Sequence, residues 1–415
     1  MLNKILKKFQ KTTSQKTIEQ ENAYVAPNYH PLPVVLNKGE GIYLWDQEGK
    51  KYLDMMSAYS AVSCGHGHPR IVAALQKQAA QLAVCSRAYH SDMLAPFAEK
   101  LCKLAGLDMM LPMNTGAEAV ETAVKAARLW GYSVKKIPEN QAEIIVADGN
   151  FHGRTTTVIS FSTEAEYRKN FGPFTPGFRA VPFGDIDAMR GAITPQTAAI
   201  LIEPIQGEAG IKTPPAGYLK ELRKICDEQN VLLMLDEIQS GLGRTGKMFC
   251  FQHEDITPDV LILGKALGGG MLPVSAVVGK KEVIGLFKPG SHGSTFGGNP
   301  LAAAVGLEAL NVLTEEGMVE NSQKLGDYMM EKLRGLNNPM IREVRGKGLW
   351  IGVDFDPKQI AARKICEKMM ERGVLSKDTH ETVVRFAPPL TITQAEIDWC
   401  LEQFREVLQE LTPAA

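Results

Sequence analysis

No disulfide framework can be read in this chain. Its seven cysteines are an odd number, scattered, and never arranged as CxxC, so free thiols in a reducing compartment, the cytoplasm, are expected. Charge of one sign is also missing. A net charge of −1 with 22% charged residues leaves no basic field for nucleic acid or a membrane surface. No apolar run approaches the length of a bilayer span. The opening MLNKILKKFQKTTSQK is basic and weakly amphipathic, but it lacks the apolar core of a secretion signal and has no arginine. A frayed or docked terminal helix is expected there. Repeats and low-complexity linkers are absent as well. His66 and His68 stand two apart in a glycine loop with no cluster of cysteines or carboxylates beside them, so no metal site is expected.

What the chain does have is material for a large core: 415 residues, 44% of them hydrophobic, too many for one small domain. Short apolar runs at Ile144–Ala147, Ala198–Ile202, Val231–Leu235, Val260–Leu263 and Val274–Val278 read as strands buried on both faces. Helical stretches such as Gly217–Gln229 separate them, which implies a doubly wound, mostly parallel sheet. A further apolar run, Val158–Phe161, follows DGNFHGRT. GIYLWD and KYLD flank the turn QEGK and predict a hairpin. YVAPNYHPLP is too rich in proline for helix. One helix is expected from Pro69, another after Asn114-Thr115-Gly116 and closed by Gly131, and a third from about Pro300. Beyond Leu310 the pattern changes. Helices over Val319–Leu336, Gln359–Arg372 and Gln394–Leu411 alternate with strands in REVRGKGLWIGVDF and TVVRFAPPL. The expected organisation is an α/β fold in three pieces. Residues 1–60 are an N-terminal segment joining the small domain, 61–315 a large domain, and 316–415 a smaller α+β domain.

The chemistry concentrates where strands end. Val231–Leu235 runs into Asp236, a carboxylate that needs a partner if it is buried. Val260–Leu263 runs into Gly264-Lys265. Adjacent strands would present this acid and this amine at one sheet edge, where open α/β sheets bind ligands. An amine that forms a Schiff base and an acid that holds a pyridinium proton are what pyridoxal 5'-phosphate requires. Asn114-Thr115-Gly116 could be an ordinary helix cap, or could offer backbone N–H groups to a phosphate. Arg154 offers a bidentate fork for a carboxylate, with pairing to a surface acid as the alternative.

LDEIQSGLGRTG, PDVLILGKALGGG, NTGAEA and GSTFGGNP, in this order across nearly the whole chain, resemble the class III pyridoxal phosphate aminotransferases of fold type I. Asp236 and Lys265 lie 265 − 236 = 29 positions apart, as in that family. The resemblance implies that Lys265 carries the cofactor and moves protons, and that Asp236 faces the ring nitrogen. It places Gln239 at the ring hydroxyl, Phe151 stacked on the ring with His152 flanking it, and Gly116 and Ala117 at the phosphate. Ser294 and Thr295 would reach the phosphate of a neighbouring subunit, which implies a homodimer or larger assembly. Phe296 stands where relatives can carry tyrosine.

NYHPLPV, SAYSAVSCGHGHP, NFHGRT, EPIQGEAG and VVRFAPPL further resemble the ornithine-specific branch. That implies transfer of the δ-amino group of ornithine to 2-oxoglutarate, giving glutamate 5-semialdehyde and glutamate in two half-reactions. Tyr29 and Arg154 would hold the distal α-amino acid group, with Tyr59 shaping the pocket. Arg385 would hold the keto acid, and Glu208 would either gate Arg385 or form a permanent ion pair with it. Acetylornithine and 4-aminobutyrate aminotransferases share the cofactor residues. An aminomutase, a nucleotide-binding protein using GKALGGG, and a non-catalytic relative are the remaining alternatives. GKALGGG lacks the full Walker spacing, and no GxGxxG follows the first strand.

Overall fold

The computed structural model describes residues 12–412. The first part of the expected terminal helix lies outside them. Within them a helix runs over Thr13–Tyr24, closed at its start by a capping box between Thr12 and Gln15. The proline-rich stretch after it has no regular structure.

Three strands follow: β1 (Leu36–Glu40), β2 (Tyr43–Asp46) and β3 (Lys51–Asp54). β2 and β3 form the expected hairpin, pairing Tyr43 with Leu53 and Trp45 with Lys51. The central sheet contains β4 (Met109–Met113), β5 (Glu143–Ala147), β6 (Phe178–Val181), β7 (Thr197–Ile202), β8 (Leu232–Asp236), β9 (Val260–Leu263) and β10 (Ser275–Gly279). Their spatial order is β4-β10-β9-β8-β7-β5-β6. Neighbours from β9 to β6 are parallel, and β10 runs antiparallel to both β4 and β9. β4 therefore points the same way as the parallel set. The chain after β4, β5, β7, β8 and β9 emerges at a single edge.

β7, β8, β9 and β10 are buried along their whole length, so direction leaves no mark in their polarity pattern. The run Val158–Phe161 is not a strand: Thr156–Ser160 is a short helix capped by the Thr155 side chain. Gly131 does not end its helix, which spans Gly116–Ser133. A Cβ there would stand 3.0 Å from the Ala198 Cβ and 3.2 Å from Ile137 Cδ1. Glycine at 131 lets the helix lie close against β7; it is not a stop signal.

The remaining strands are β11 (Ile341–Gly346), β12 (Ile351–Phe355), β13 (Val374–Leu375), β14 (Lys377–Thr379) and β15 (Val383–Phe386). β11-β12-β15-β14 form an antiparallel sheet. β13 instead pairs in parallel with β3, which carries the N-terminal hairpin to the end of the chain. Helices cover Met318–Arg334, Ala362–Glu371 and Gln394–Leu411, close to the expected spans. One fully buried side chain ties distant parts together. Arg244 donates from Nη1 to the carbonyls of Leu349 (2.9 Å) and Pro388 (2.6 Å) and from Nη2 to Ser63 Oγ (3.0 Å). Burial pulls its guanidinium down to about 9, only partly opposed by the charge of Asp54. Among the described residues no helix is long and apolar enough to cross a membrane.

Candidate active site

Five strand ends deliver the site. Gly116 and Ala117 follow β4, Phe151 and His152 follow β5, and Glu203 follows β7. Asp236 ends β8 and Lys265 follows β9. All of them, with Gln239, line one cavity. Seven of the residues expected to touch the cofactor are thus brought together from four separate segments, with Glu203 supplied by a fifth, as the topology of an open α/β sheet requires.

Asp236 is buried, 5% exposed. Its Oδ1 accepts the Ile238 N–H at 3.0 Å and its Oδ2 lies 2.7 Å from His152 Nδ1. His152 is therefore the side chain that fixes the orientation of Asp236, and its own Nε2 is buried without a partner among the described residues. Lys265 adopts φ +45° directly after Gly264, a left-handed conformation that costs an L-residue free energy and recurs at functional positions. Burial lowers the affinity of its amine for a proton, opposed by Glu208 and Asp236. A lysine so placed is closer to the proton-free form needed to act as nucleophile or base.

Glu203 is a site residue that the sequence marked only as a strand end. It is 7% exposed, its Oε2 accepts the Phe151 N–H at 3.3 Å, and burial together with the Asp236 charge holds its carboxyl well above the usual range. Burial and the neighbouring Asp236 thus favour the neutral form of Glu203. Its position after an apolar strand, parallel to that of Asp236, was the available signal.

The helix Gly116–Ser133 starts at this edge. Thr115 and Glu118 form a capping box, and Glu118 also takes the Asn114 and Thr115 N–H groups. The Gly116 and Ala117 N–H groups have no hydrogen bond among the described residues and sit at the positive end of an 18-residue helix. Two free N–H groups, a buried carboxylate and a buried amine facing one cavity fit the anionic, pyridine-containing, aldehyde-bearing cofactor expected from the sequence.

Beyond this cavity a cleft of about 700 Å³ is lined by Tyr29, Met56, Tyr59, His66 and Lys377, among others. Tyr59 lies in a run of four non-glycine residues, Ser57 to Ser60, with φ of 45°, 47°, 59° and 70°. The run is held by Asp54 Oδ1, which accepts from the Met56 and Ser57 N–H groups (2.9 and 2.8 Å), and by a hydrogen bond from Ser57 Oγ to the Ala387 carbonyl. Arg385, at the centre of β15, is 4% exposed. Its Nη1 bonds Glu208 Oε1 at 2.8 Å and its guanidinium carbon lies 5.0 Å from the Tyr59 ring centre. Burial works against ionisation of Glu208, but Arg385, Lys265 and Arg154 outweigh it and hold the carboxyl below its usual range.

The other expected residues are more dispersed. Tyr29 is 72% exposed on the rim of the cleft. Arg154 is exposed and packs over the Tyr167 ring. Ser294 accepts from Asn114 Nδ2 at 2.8 Å, beside the start of the same helix in its own chain, while Thr295 and Phe296 are exposed. His66 and His68 bind different carboxylates, Asp54 at 2.7 Å and Glu316 at 3.1 Å. Among the described residues no group of three metal-ligating side chains occurs.

Relatives match this chain over nearly its full length. An ornithine aminotransferase from Brevibacillus brevis is 58% identical over 391 residues, 94% of this chain and 97% of the relative. The structure of an ornithine aminotransferase from Toxoplasma gondii, whose active site holds PLP at partial occupancy, superposes with a TM-score of 0.95 at 42% identity. It covers 99% of this chain and 97% of that one. An acetylornithine aminotransferase from Elizabethkingia anophelis superposes with a TM-score of 0.89 at 48% identity, covering 96% of this chain and 100% of that one. The pattern described as Aminotransferase class-III matches residues 24–408, and the chain belongs to that family of pyridoxal phosphate enzymes.

Proposed function

We propose that the chain transfers the δ-amino group of ornithine to 2-oxoglutarate, forming glutamate 5-semialdehyde and glutamate. The observation that carries this reading is the Glu208–Arg385 pair, 2.8 Å apart and lining the approach to Lys265, while Arg154 has no carboxylate within 4 Å among the described residues. A strong α-carboxylate receptor near the amine is thus occupied, and a second one farther out is vacant. A substrate presenting a terminal amine to Lys265 and an α-carboxylate to Arg154 suits that polarity.

Bound in the cavity, pyridoxal phosphate supplies an aldehyde carbon that takes an amine and a protonated ring that draws electrons. Asp236, oriented by His152, would keep a proton at the ring nitrogen. Gly116 and Ala117 would hold the phosphate, Phe151 would cover the ring and Gln239 would bind the ring hydroxyl. Lys265 moves the proton at the substrate δ-carbon. In the second half-reaction Glu208 leaves Arg385, which then takes the α-carboxylate of 2-oxoglutarate. Tyr29 and Tyr59 shape the wall along which the rest of the substrate lies.

The exposed apolar side chains of Leu82, Tyr89 and Phe296 support a homodimer in which the loop of Ser294 and Thr295 completes a neighbouring site. Light scattering that gives twice the chain mass is the expected result.

The functional test is a single turnover of the holoenzyme with ornithine, following the visible absorbance of the cofactor and trapping the semialdehyde. Absorbance loss with ornithine supports the reading. Loss only with another ω-amine overturns the substrate and leaves the aminotransferase reading intact. A second reading, transfer from N-acetylornithine, is less supported, because the chain is 48% identical to the Elizabethkingia anophelis enzyme against 58% to the Brevibacillus brevis ornithine aminotransferase. Competing the two amines in one assay separates them.

A further inference from the structure

Arg154 lies beside the cavity, yet among the described residues no acid comes within ion-pair distance of it. What it touches is aromatic. Its guanidinium carbon is 3.9 Å from the ring centre of Tyr167 and 5.6 Å from that of Phe151. The two rings meet edge to face, 6.0 Å apart at 76°. A cation resting on a ring face is attracted by the ring quadrupole, and the Tyr167 hydroxyl is also within hydrogen-bond reach of the Arg154 side chain. A guanidinium has five N–H donors, so an arginine held this way keeps donors for a planar anion.

The support under the ring is fixed from the far side. Tyr167 belongs to the short helix Ala165–Arg168. The next residue, Arg168, donates from Nη1 to the carbonyls of Ser160 (3.1 Å) and Ser162 (3.0 Å) and lies over the Phe174 ring at 4.4 Å. On the other flank Thr155, adjacent to Arg154, caps the helix Thr156–Ser160 and donates to Glu121 at 2.6 Å. Both the arginine backbone and its aromatic support are therefore anchored to the large sheet's surroundings and not to the mobile end of a long side chain. A free arginine in solution gives up rotamer entropy when it grips a ligand, and a preformed perch removes part of that cost.

We propose that Tyr167 is a positioning residue for substrate specificity: its ring holds the Arg154 guanidinium in the orientation that receives the α-carboxylate of the amino donor. This inference rests on the proposed role of Arg154. 2-Oxoglutarate carries two carboxylates, so while Arg385 takes the α-carboxylate the second is left for the Arg154 end of the site, and the perch serves both half-reactions.

The test is steady-state kinetics of the holoenzyme variants Tyr167→Leu, Tyr167→Phe and Arg154→Ala. Tyr167→Leu is expected to raise KM for ornithine about tenfold with kcat within about twofold, and to raise KM for 2-oxoglutarate in the same direction through its second carboxylate. Tyr167→Phe keeps the ring and is expected to match the parent. An unchanged ornithine KM in Tyr167→Leu, beside a raised one in Arg154→Ala, overturns the perch alone. Unchanged values in both variants remove the Arg154 reading beneath it. Loss of bound-cofactor absorbance in Tyr167→Leu would mean general disruption and also overturn the proposal. Should Tyr167→Leu not fold, Tyr167→Met retains bulk without a ring and is read by the same criteria.

Discussion

Arg385 and Glu208 meet through a single 2.8 Å hydrogen bond, with the arginine almost fully buried and the glutamate partly open to the cleft. The asymmetry matters. Removing the glutamate strands a desolvated guanidinium, which then attracts whatever carboxylate can reach it. Glu208→Ala is expected to lower the ratio of kcat/KM for ornithine to that for an α-amino acid donor by about tenfold or more. An unchanged ratio would identify a fixed structural bridge.

Glu237 lies next to Asp236 but serves the fold. It is fully buried and accepts the Cys250 and Phe251 N–H groups at 2.6 and 2.8 Å, and burial, partly offset by those two bonds, pushes its carboxyl up to about 8. A carboxyl raised from 4.5 to about 8 favours the folded state in its neutral form. That contribution is complete below pH 4.5 and is lost as the pH rises toward 8. Glu237→Gln should flatten the fall in stability across that window, measured as midpoint denaturant concentration against pH. A slope equal to the parent's would count against a neutral Glu237.

At Lys265 catalysis and backbone strain coincide. Both Lys265→Ala and Lys265→Gly should cut kcat by a factor on the order of a thousand or more. The apo forms should differ in the opposite direction from intuition. With φ at +45°, the glycine variant is expected to be more stable than the alanine variant by about 1 kcal/mol, read from chemical unfolding. Greater stability of the alanine variant would mean that the strain is not stored at this position.

The Gly207 backbone lies directly against the Gln239 side chain. A Cβ there would stand 2.2 Å from Gln239 Oε1 and 2.6 Å from the ring of the buried Trp350. Trp350 cannot yield, so Gln239 must. Gly207→Ala is expected to weaken cofactor retention about tenfold on dialysis and to cost about 2 kcal/mol of stability. Full retention would show that Gln239 does not hold the cofactor.

The residues that were legible share a physical reason. Asp236 and Lys265 each end a continuously apolar run, and charge at such a place stands out in any sequence. Glu203 follows β7 in the same way, but its raised pKa comes from burial and the neighbouring Asp236 charge, which only folding creates. The direction of β10 left no trace because both its faces are buried. Gly131 was misread because a glycine that permits close packing and a glycine that ends a helix look alike along the chain. β13 and β14 are two and three residues long, too short to show a period. The contact between Arg154 and Tyr167 joins residues 13 positions apart through a loop, and loops carry no periodicity to read.

The run Ser57–Ser60 carries one more consequence. Four consecutive L-residues wound to the left oppose their own chirality, at a cost of about 1–2 kcal/mol each. Such a turn is never the preferred shape of its own sequence; it exists because Asp54, Ser57 and the Ala387 carbonyl impose it from outside. A synthetic peptide spanning these residues, or the same loop transplanted onto another protein, would unwind to the right and turn the phenol of Tyr59 elsewhere. The wall of the substrate cleft is in this sense not local information at all. It is written jointly by two stretches of chain more than three hundred residues apart.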